Sequence, residues 1–406
     1  MKPALEDLRR IIRRIESPRP PRPTPEPVER VLGGELIDTE AGRLVVVRHE
    51  YPLGHRQGEQ PLTDAVSAPA PLLRLLSRRD GPPDPGRLVF LDSETTGLAG
   101  GTGTYAFLVG AGWFETDRFV LVQHFMRDFD DEPALLAALG QLLAGASTVV
   151  TFNGGGFDLP LLETRFVLGR RRWPAALPNL DLLTPARRVW SSVLDDCRLA
   201  TLERRVLGLA REDDVPGALI PSLYFDFIRH RRAAPLARVL AHNRHDVLSL
   251  AALLGWFVRA LGDGSRLSAD ERFGLGRLCE PMDLERALVY YQDSLSAGLP
   301  EPVAQWVRLR LARWEKRHAR WKAACALWEA AADRPAFDPR PWEELAKYHE
   351  HRARDVAVAR EVVGHALRLA RGAGAAPGVL EALSYRLARL ERRLGRERRR
   401  LEDLPV

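Results

Sequence analysis

The sequence predicts an α/β domain with a mixed sheet flanked by helices, followed by an all-α domain of helical repeats. Three observations predict it. From Arg87 onward, three strand-like apolar runs come in succession and then give way to alternating helix and strand. The stretch from about Pro235 to Leu261 has the length and apolar content of a long core helix. Beyond it the pattern is helical throughout, and Ala287, Ala323 and Ala359 recur at a spacing of 36 residues. Neighbouring strands followed by alternating elements indicate a mixed sheet covered by helices. Small residues at a fixed period indicate stacked helical hairpins.

Taken in order, residues 1–33 read as a short basic amphipathic helix (1–16) and a linker drawn out by Pro18, Pro20, Pro21, Pro23, Pro25 and Pro27. Residues 34–85 form an N-terminal β-hairpin extension. Its signal is strand character from Gly34 to Tyr51, broken by a turn at Glu40-Ala41-Gly42. The Pro/Gly cluster Gly81 to Gly86 closes it. Residues 86–262 carry strands at Leu88–Leu91, Tyr105–Trp113, Phe119–Phe125 and Thr148–Phe152. Helices are expected over 131–144, where Asp131, Glu132 and Pro133 mark the start, and over 157–168. In residues 266–406, each repeated alanine is followed four positions later by Tyr291, Leu327 or Val363, and three further on by Ser294, Ala330 or Ala366.

The 406 residues carry a net charge of +6, almost all of the positive charge being arginine. The lysines are Lys2, Lys316, Lys322 and Lys347. Guanidinium groups suit phosphate, since two parallel N–H bonds reach one anion, although a solvated surface reads as well. Cys197, Cys279 and Cys325 show no CxxC spacing, which argues against a disulfide framework or a zinc site. No apolar run of membrane-spanning length stands out, and the N-terminus lacks the apolar stretch of a signal peptide. The expectation is a soluble cytoplasmic protein without a membrane partner.

The sharpest local signal is Leu91-Asp92-Ser93-Glu94-Thr95-Thr96-Gly97. Residues two apart on a strand share a face, so Asp92 and Glu94 project together. A cation would relieve their repulsion, and hard oxygen ligands suit Mg²⁺ or Mn²⁺. Two solvated acids at a strand end would read the same. Phe152-Asn153-Gly154-Gly155-Gly156-Phe157-Asp158 runs from a strand into a helix, with Asp158 at the helix start as a candidate ligand or a simple cap. In His242-Asn243-Arg244-His245-Asp246, His242 and Asp246 share a helical face.

In this order and on these elements, the motifs resemble the DEDD exonucleases of the ribonuclease-H-like fold. That superfamily carries DxE on the first strand, an Asp after an Asn-containing loop and an Asp on a late helix. Leu98 to Tyr105, the segment from Asn179-Leu180-Asp181 through Leu202-Glu203 to Pro216-Gly217, and Glu50-Tyr51-Pro52-Leu53-Gly54-His55 resemble its YprB-type branch. The resemblance covers most of residues 30–262. It implies a ribonuclease-H-like domain with a mixed five-stranded sheet. Trp342-x-x-Leu345-Ala346 and Pro335 likewise resemble tetratricopeptide repeats, with a longer period and Tyr348 one place early.

What the resemblance implies is two-metal phosphodiester hydrolysis, with Asp92, Glu94, Asp158 and Asp246 holding two Mg²⁺ or Mn²⁺ ions. The expected reaction removes nucleotides from a 3′ end of single-stranded DNA or RNA. A structure-selective endonuclease, or a non-catalytic scaffold acting through its repeats, are the alternatives. The family usually places Tyr four residues before the last Asp or His five before it. Here His242 stands at the Tyr spacing and Ala241 at the other. His242 is a catalytic candidate because an imidazole can take a proton from the attacking water. Thr95, Thr96 and Asn153 are candidates to grip the terminal nucleotide, and Leu98 or Phe157 to stack on a base. Asp181 is expected to act through hydrogen bonds around the ligands or as a helix cap. Arg170–Arg172, Arg229–Arg232 and Arg396–Arg400 are candidate phosphate contacts or solvated faces. Trp306, Trp314, Trp321, Trp328 and Trp342 read as packing between hairpins, and the repeats as a possible protein-binding surface.

Overall fold

The structure is a computed structural model describing residues 26–66, 68–77, 87–97, 102–174, 177–262 and 266–402. The helix expected over 1–16, most of the proline cluster and the Gly81–Gly86 boundary lie outside the described residues. The chain forms two compact units, one ending at Arg266 and the other beginning at Leu267.

In chain order the strands of the first unit are β1 (Glu35–Thr39), β2 (Gly42–Pro52), β3 (Arg56–Gln57), β4 (Gln60–Pro61), β5 (Leu88–Thr95), β6 (Ala106–Phe114), β7 (Arg118–Phe125), β8 (Thr148–Thr151) and β9 (Asn179–Asp181). Seven of them form one sheet in the order β1-β2-β7-β6-β5-β8-β9, while β3 and β4 pair separately. Strands β5 to β9 are the expected mixed core. β8 runs parallel to both β5 and β9, and the β5–β6 and β6–β7 pairs are antiparallel.

The 34–52 hairpin is not an appendage to that core. β2 pairs with β7 from Val45↔Phe125 to Pro52↔Arg118, so the sheet grows to seven strands. The physical reason lies in Leu44-Val45-Val46-Val47, all buried. A run apolar on both faces needs cover on both. β9 is only three residues long, too short to leave a periodic signal.

The helices of eight or more residues in this unit are α1 (Ala70–Ser77), α2 (Glu132–Ala144), α3 (Asp158–Leu168), α4 (Leu183–Trp190), α5 (Ile220–His230) and α6 (Leu236–Gly262). Leu135, Leu136, Leu139 and Leu143 of α2 join Val45, Val47 and Phe125 in one core cluster. On α5, Tyr224 stacks on Phe107 of β6 with ring centroids 3.9 Å apart. Among the described residues α6 alone is long and apolar enough to cross a membrane, and 72% of that window is buried inside the protein.

α6 positions the site, and glycine lets it do so. A Cβ at Gly110 on β6 would fall 2.2 Å from Asn243 Oδ1 and 3.0 Å from Val247 Cγ2. Gly110 is also the register partner of Asp92. Only a residue without a side chain admits the helix this close. The result sets the His242–Asp246 turn of α6 beside the acidic end of β5.

The second unit is built from α7 (Ala269–Cys279), α8 (Leu284–Ser296), α9 (Val303–Arg317), α10 (Trp321–Ala332), α11 (Pro339–His351), α12 (Val356–Gly372) and α13 (Pro377–Glu402). The repeat is present, but its middle copy is displaced by one residue from the expected register. Ala287, Tyr291 and Ser294 are buried, as are Ala359, Val363 and Ala366. In between, the buried set is Ala324, Trp328 and Ala331, while Ala323 and Ala330 are exposed. Ala287, Ala324 and Ala359 each occupy the fourth position of their helix. Small residues there let paired helices approach closely.

Candidate active site

Asp92 and Glu94 come from β5, Asp158 from the first turn of α3 and Asp246 from α6. Ligand atoms of Glu94, His242 and Asp246 lie within 4.8 Å of one another. The other two acids sit alongside, each held by a neutral donor. Asn243 Nδ2 donates to Asp92 Oδ2 at 2.9 Å and to the Asp92 carbonyl at 3.2 Å. Ser93 Oγ donates to Asp158 Oδ1.

The electrostatics show how crowded these groups are. Burial, then the charges of Asp246, Glu94 and Asp158, push the Asp92 carboxyl well above its ordinary value. Burial and Asp246 push Glu94 up to about 8. Burial raises Asp158 to about 6. Carboxyls pushed up by burial and by one another, with His242 and Arg211 relieving Glu94 only in part, are a site where added positive charge would be stabilising.

The two nitrogens of the His242 imidazole have different neighbours, and Arg211 Nη1 also lies 3.4 Å from Nδ1. Its Nδ1 lies 2.8 Å from Asp214 Oδ1. Its Nε2 faces Asp246 Oδ2 at 3.5 Å and Glu94 Oε1 at 4.0 Å. An Nδ1–H donated to Asp214 leaves the Nε2 lone pair turned toward the carboxylates. Burial opposes protonation of His242, but Asp246, Glu94 and Asp214 outweigh it and raise its pKa.

Arg211 is the one guanidinium bonded into this cluster among the described residues. It donates to Asp246 and to Glu203, and its Nη1 lies 3.3 Å from Asp214 Oδ2. Glu203 stands on a five-residue π-helical turn, Glu203–Leu207, and also accepts from Ser249 of α6. Gln57 on β3 donates to the same serine at 2.9 Å. The small β3–β4 hairpin therefore braces the back of the site. One arginine and one imidazole do not balance Asp92, Glu94, Asp158, Asp246, Glu203 and Asp214. The donor set is oxygen apart from one imidazole, and it fits divalent ions such as Mg²⁺ or Mn²⁺.

Residues 89–258 match a family described as RNase H superfamily. The chain is also 32% identical over 379 residues to an uncharacterized protein of Bacillus subtilis (strain 168), YprB, covering 85% of this chain and 84% of that one. The chain belongs to the YprB family. Its RNase H-like domain points to nuclease-type activity on nucleic acid, generally with divalent metal ions.

Within this YprB-family site, the other sequence candidates divide. Asp181 accepts from the backbone N–H of Asn153 at 2.8 Å, of Leu183 at 3.0 Å and of Gly155 at 3.3 Å. It thus ties the glycine loop and the α4 entry to β9. Gly154 serves packing, since a Cβ there would lie 2.5 Å from Thr151. Asn153 is exposed with φ 63°, and Phe157 is half-buried just before Asp158. Thr95 is buried and donates to the Gly97 carbonyl, while Thr96 Oγ1 accepts from the Tyr105 N–H. These hydroxyls hold the turn after β5. Leu98 lies outside the described residues.

The basic runs also have structural partners. Arg171 pairs with Glu40 at 2.8 Å, and Arg231 binds Asp128 and the Arg127 carbonyl. Side chains of Arg398 to Arg400 lie outside the described residues.

Asn243, Asp214, Arg211 and Glu203 were not singled out as site residues from the sequence. The segment holding Glu203 to Gly217 carried family resemblance without roles for its charges. Because Glu203 is only 1% exposed, removing Arg211 strands a buried carboxylate. Arg211→Gln is therefore expected to destabilise the protein by about 3–5 kcal/mol. Urea unfolding in EDTA checks this, and a loss below about 1 kcal/mol would show that solvent already screens the pair.

Proposed function

We propose that this protein is a metal-dependent 3′–5′ exonuclease of DEDD type that hydrolyses phosphodiester bonds of single-stranded nucleic acid. The observation that carries the reading is the meeting of four carboxylates, three of them pushed up by burial and mutual repulsion, with an imidazole whose far nitrogen is held by Asp214. In this reading Asp92, Glu94, Asp158 and Asp246 are the metal ligands.

Divalent ions, when bound, supply Lewis-acid stabilisation of the phosphoryl oxygens and lower the pKa of water. The remaining work falls to the chain. Asn243 fixes the Asp92 carboxylate so that its orientation does not depend on solvent. His242 accepts the proton of the attacking water at Nε2, and Asp214 accepts the Nδ1–H and stabilises the imidazolium that forms. Asp181 keeps the loop before Asp158 in one conformation. The helical repeats of the second unit, read as tetratricopeptide-like, serve a binding role.

Hydrolysis of end-labelled linear and circular single strands, as matched DNA and RNA with Mg²⁺ or Mn²⁺, tests this. Stepwise release of mononucleotides from linear strands only is the expected outcome. Cutting of circles would replace the exonuclease with an endonuclease. No cutting with any divalent ion would leave a binding protein.

A further inference from the structure

The second unit contains a groove that the proposed chemistry does not use. A cavity of about 760 Å³ is walled by α9, α10, α11 and α13, and one of about 370 Å³ adjoins it across Lys316, Trp328 and Glu344. Eight Lys and Arg side chains line the two, against Glu343 and Glu344 alone. Carboxylates beside the lining cancel part of the excess, Glu280 on Arg310 and Asp338 on Arg340. The buried Glu350 is shared by Arg386, Arg389 and Arg393. No ion pair engages Arg313 or Arg352 among the described residues, and Arg313 is exposed.

Aromatic rings alternate with these charges. Tyr385 on α13 is 69% exposed and Trp306 on α9 is 43% exposed. Trp321 and Tyr348 stack with centroids 5.8 Å apart, and the Arg352 guanidinium lies 5.0 Å from the Trp321 centroid. Both tryptophans also pack between hairpins, Trp306 edge-on against Phe273 and Tyr291 and Trp321 against the core around Trp328. All three line the groove, Trp328 at its buried floor and Trp306 the most exposed.

We propose that this groove is a binding site for single-stranded nucleic acid, with phosphates on the Lys and Arg side chains and bases on the aromatic rings. Excess positive charge alone would suit any polyanion. Flat aromatic faces interleaved with it favour bases, because every base has a π-face to stack. An acidic peptide would use the charges and leave Tyr385 and Trp306 idle. The substrate class rests on the nuclease reading, but the site is separate from the carboxylates and is tested without cleavage.

The test is fluorescence anisotropy of a labelled oligothymidylate with the full chain in EDTA, across a salt series. The triple variant Arg313→Ala, Arg352→Ala, Tyr385→Ala is expected to bind about tenfold more weakly or worse, with a shallower salt dependence. Its thermal unfolding should match the wild type, and Tyr385→Phe should restore part of the lost affinity. Unchanged affinity in the triple variant would overturn the proposal. So would polyglutamate binding as tightly as the oligonucleotide and losing affinity in step with it, which would make the occupant an acidic peptide. A groove that binds in a chain showing no hydrolysis would fell the nuclease reading and leave the groove standing.

Discussion

Asp92→Asn is expected to lower phosphodiester hydrolysis by about three orders of magnitude or more while making the metal-free protein more stable. The two effects have one cause. Asp92 is a half-buried residue among three other acids, whose charges together with burial hold its carboxyl well above its ordinary value, and a bound cation would offset that repulsion. Metal-ion stabilisation of transition-state charge is worth several kcal/mol, and each 1.36 kcal/mol is about tenfold in rate. Asparagine can keep a hydrogen bond with Asn243 but brings no negative charge to hold an ion.

The stability gain follows from proton linkage. Glu94 ionises at its ordinary 4.5 in the unfolded chain but holds its proton to about 8 in the folded, metal-free state. Between those values native Glu94 holds more proton than unfolded Glu94, so its contribution to stability in EDTA falls as pH rises. Asp92 acts in the same sense. Removing one of the mutually repelling acids weakens that fall. Burial lowers the pKa of His49, His55, His124 and His245, which contribute in the opposite sense, so the reading is the difference between variant and wild type in thermal unfolding in EDTA across pH 5 to 8. The stability advantage of Asp92→Asn should widen as pH rises, and an advantage that narrows would contradict the repulsion among these acids.

His242→Ala is expected to reduce turnover by about 10²–10⁴-fold, the range of a lost general base, without loss of metal binding. Geometry favours a proton-accepting role over ligation alone. Asp214 takes the Nδ1 side at 2.8 Å, so Nε2 is the free nitrogen and it points at the acidic cluster. Asp214→Asn should produce a smaller loss, because the amide can orient the ring but stabilises its cation less. Single-turnover hydrolysis with saturating Mn²⁺ separates the two variants. Near-normal turnover in His242→Ala would remove the imidazole from the reaction.

Much of this was legible in the sequence where the signal is local. DxE on an apolar strand, Asp158 at a helix start and the His242–Asp246 pair on one helical face each need only a short window and a known periodicity. The tertiary ties were not legible. His242 meets Asp214 across 28 positions and Asp92 meets Asn243 across 151, distances over which no spacing rule operates. Asp214 and Arg211 lie in a loop segment that has no periodicity to place them. The repeat register failed for a different reason. Ala323 and Ala324 are adjacent and chemically identical, so equal spacing chose the exposed one and only packing distinguishes them. The hairpin of β1 and β2 is legible from its strand character and turn, but its long-range pairing with β7 carries no local mark.

The central claim is that four carboxylates from three elements form one metal centre. Calorimetric titration of Mn²⁺ into the full chain at neutral pH tests it most directly. The account predicts two ions bound per chain in the wild type, with protons released as Glu94 ionises, and loss of that binding in Asp92→Asn. Absence of binding, or binding that Asp92→Asn leaves unchanged, would contradict it.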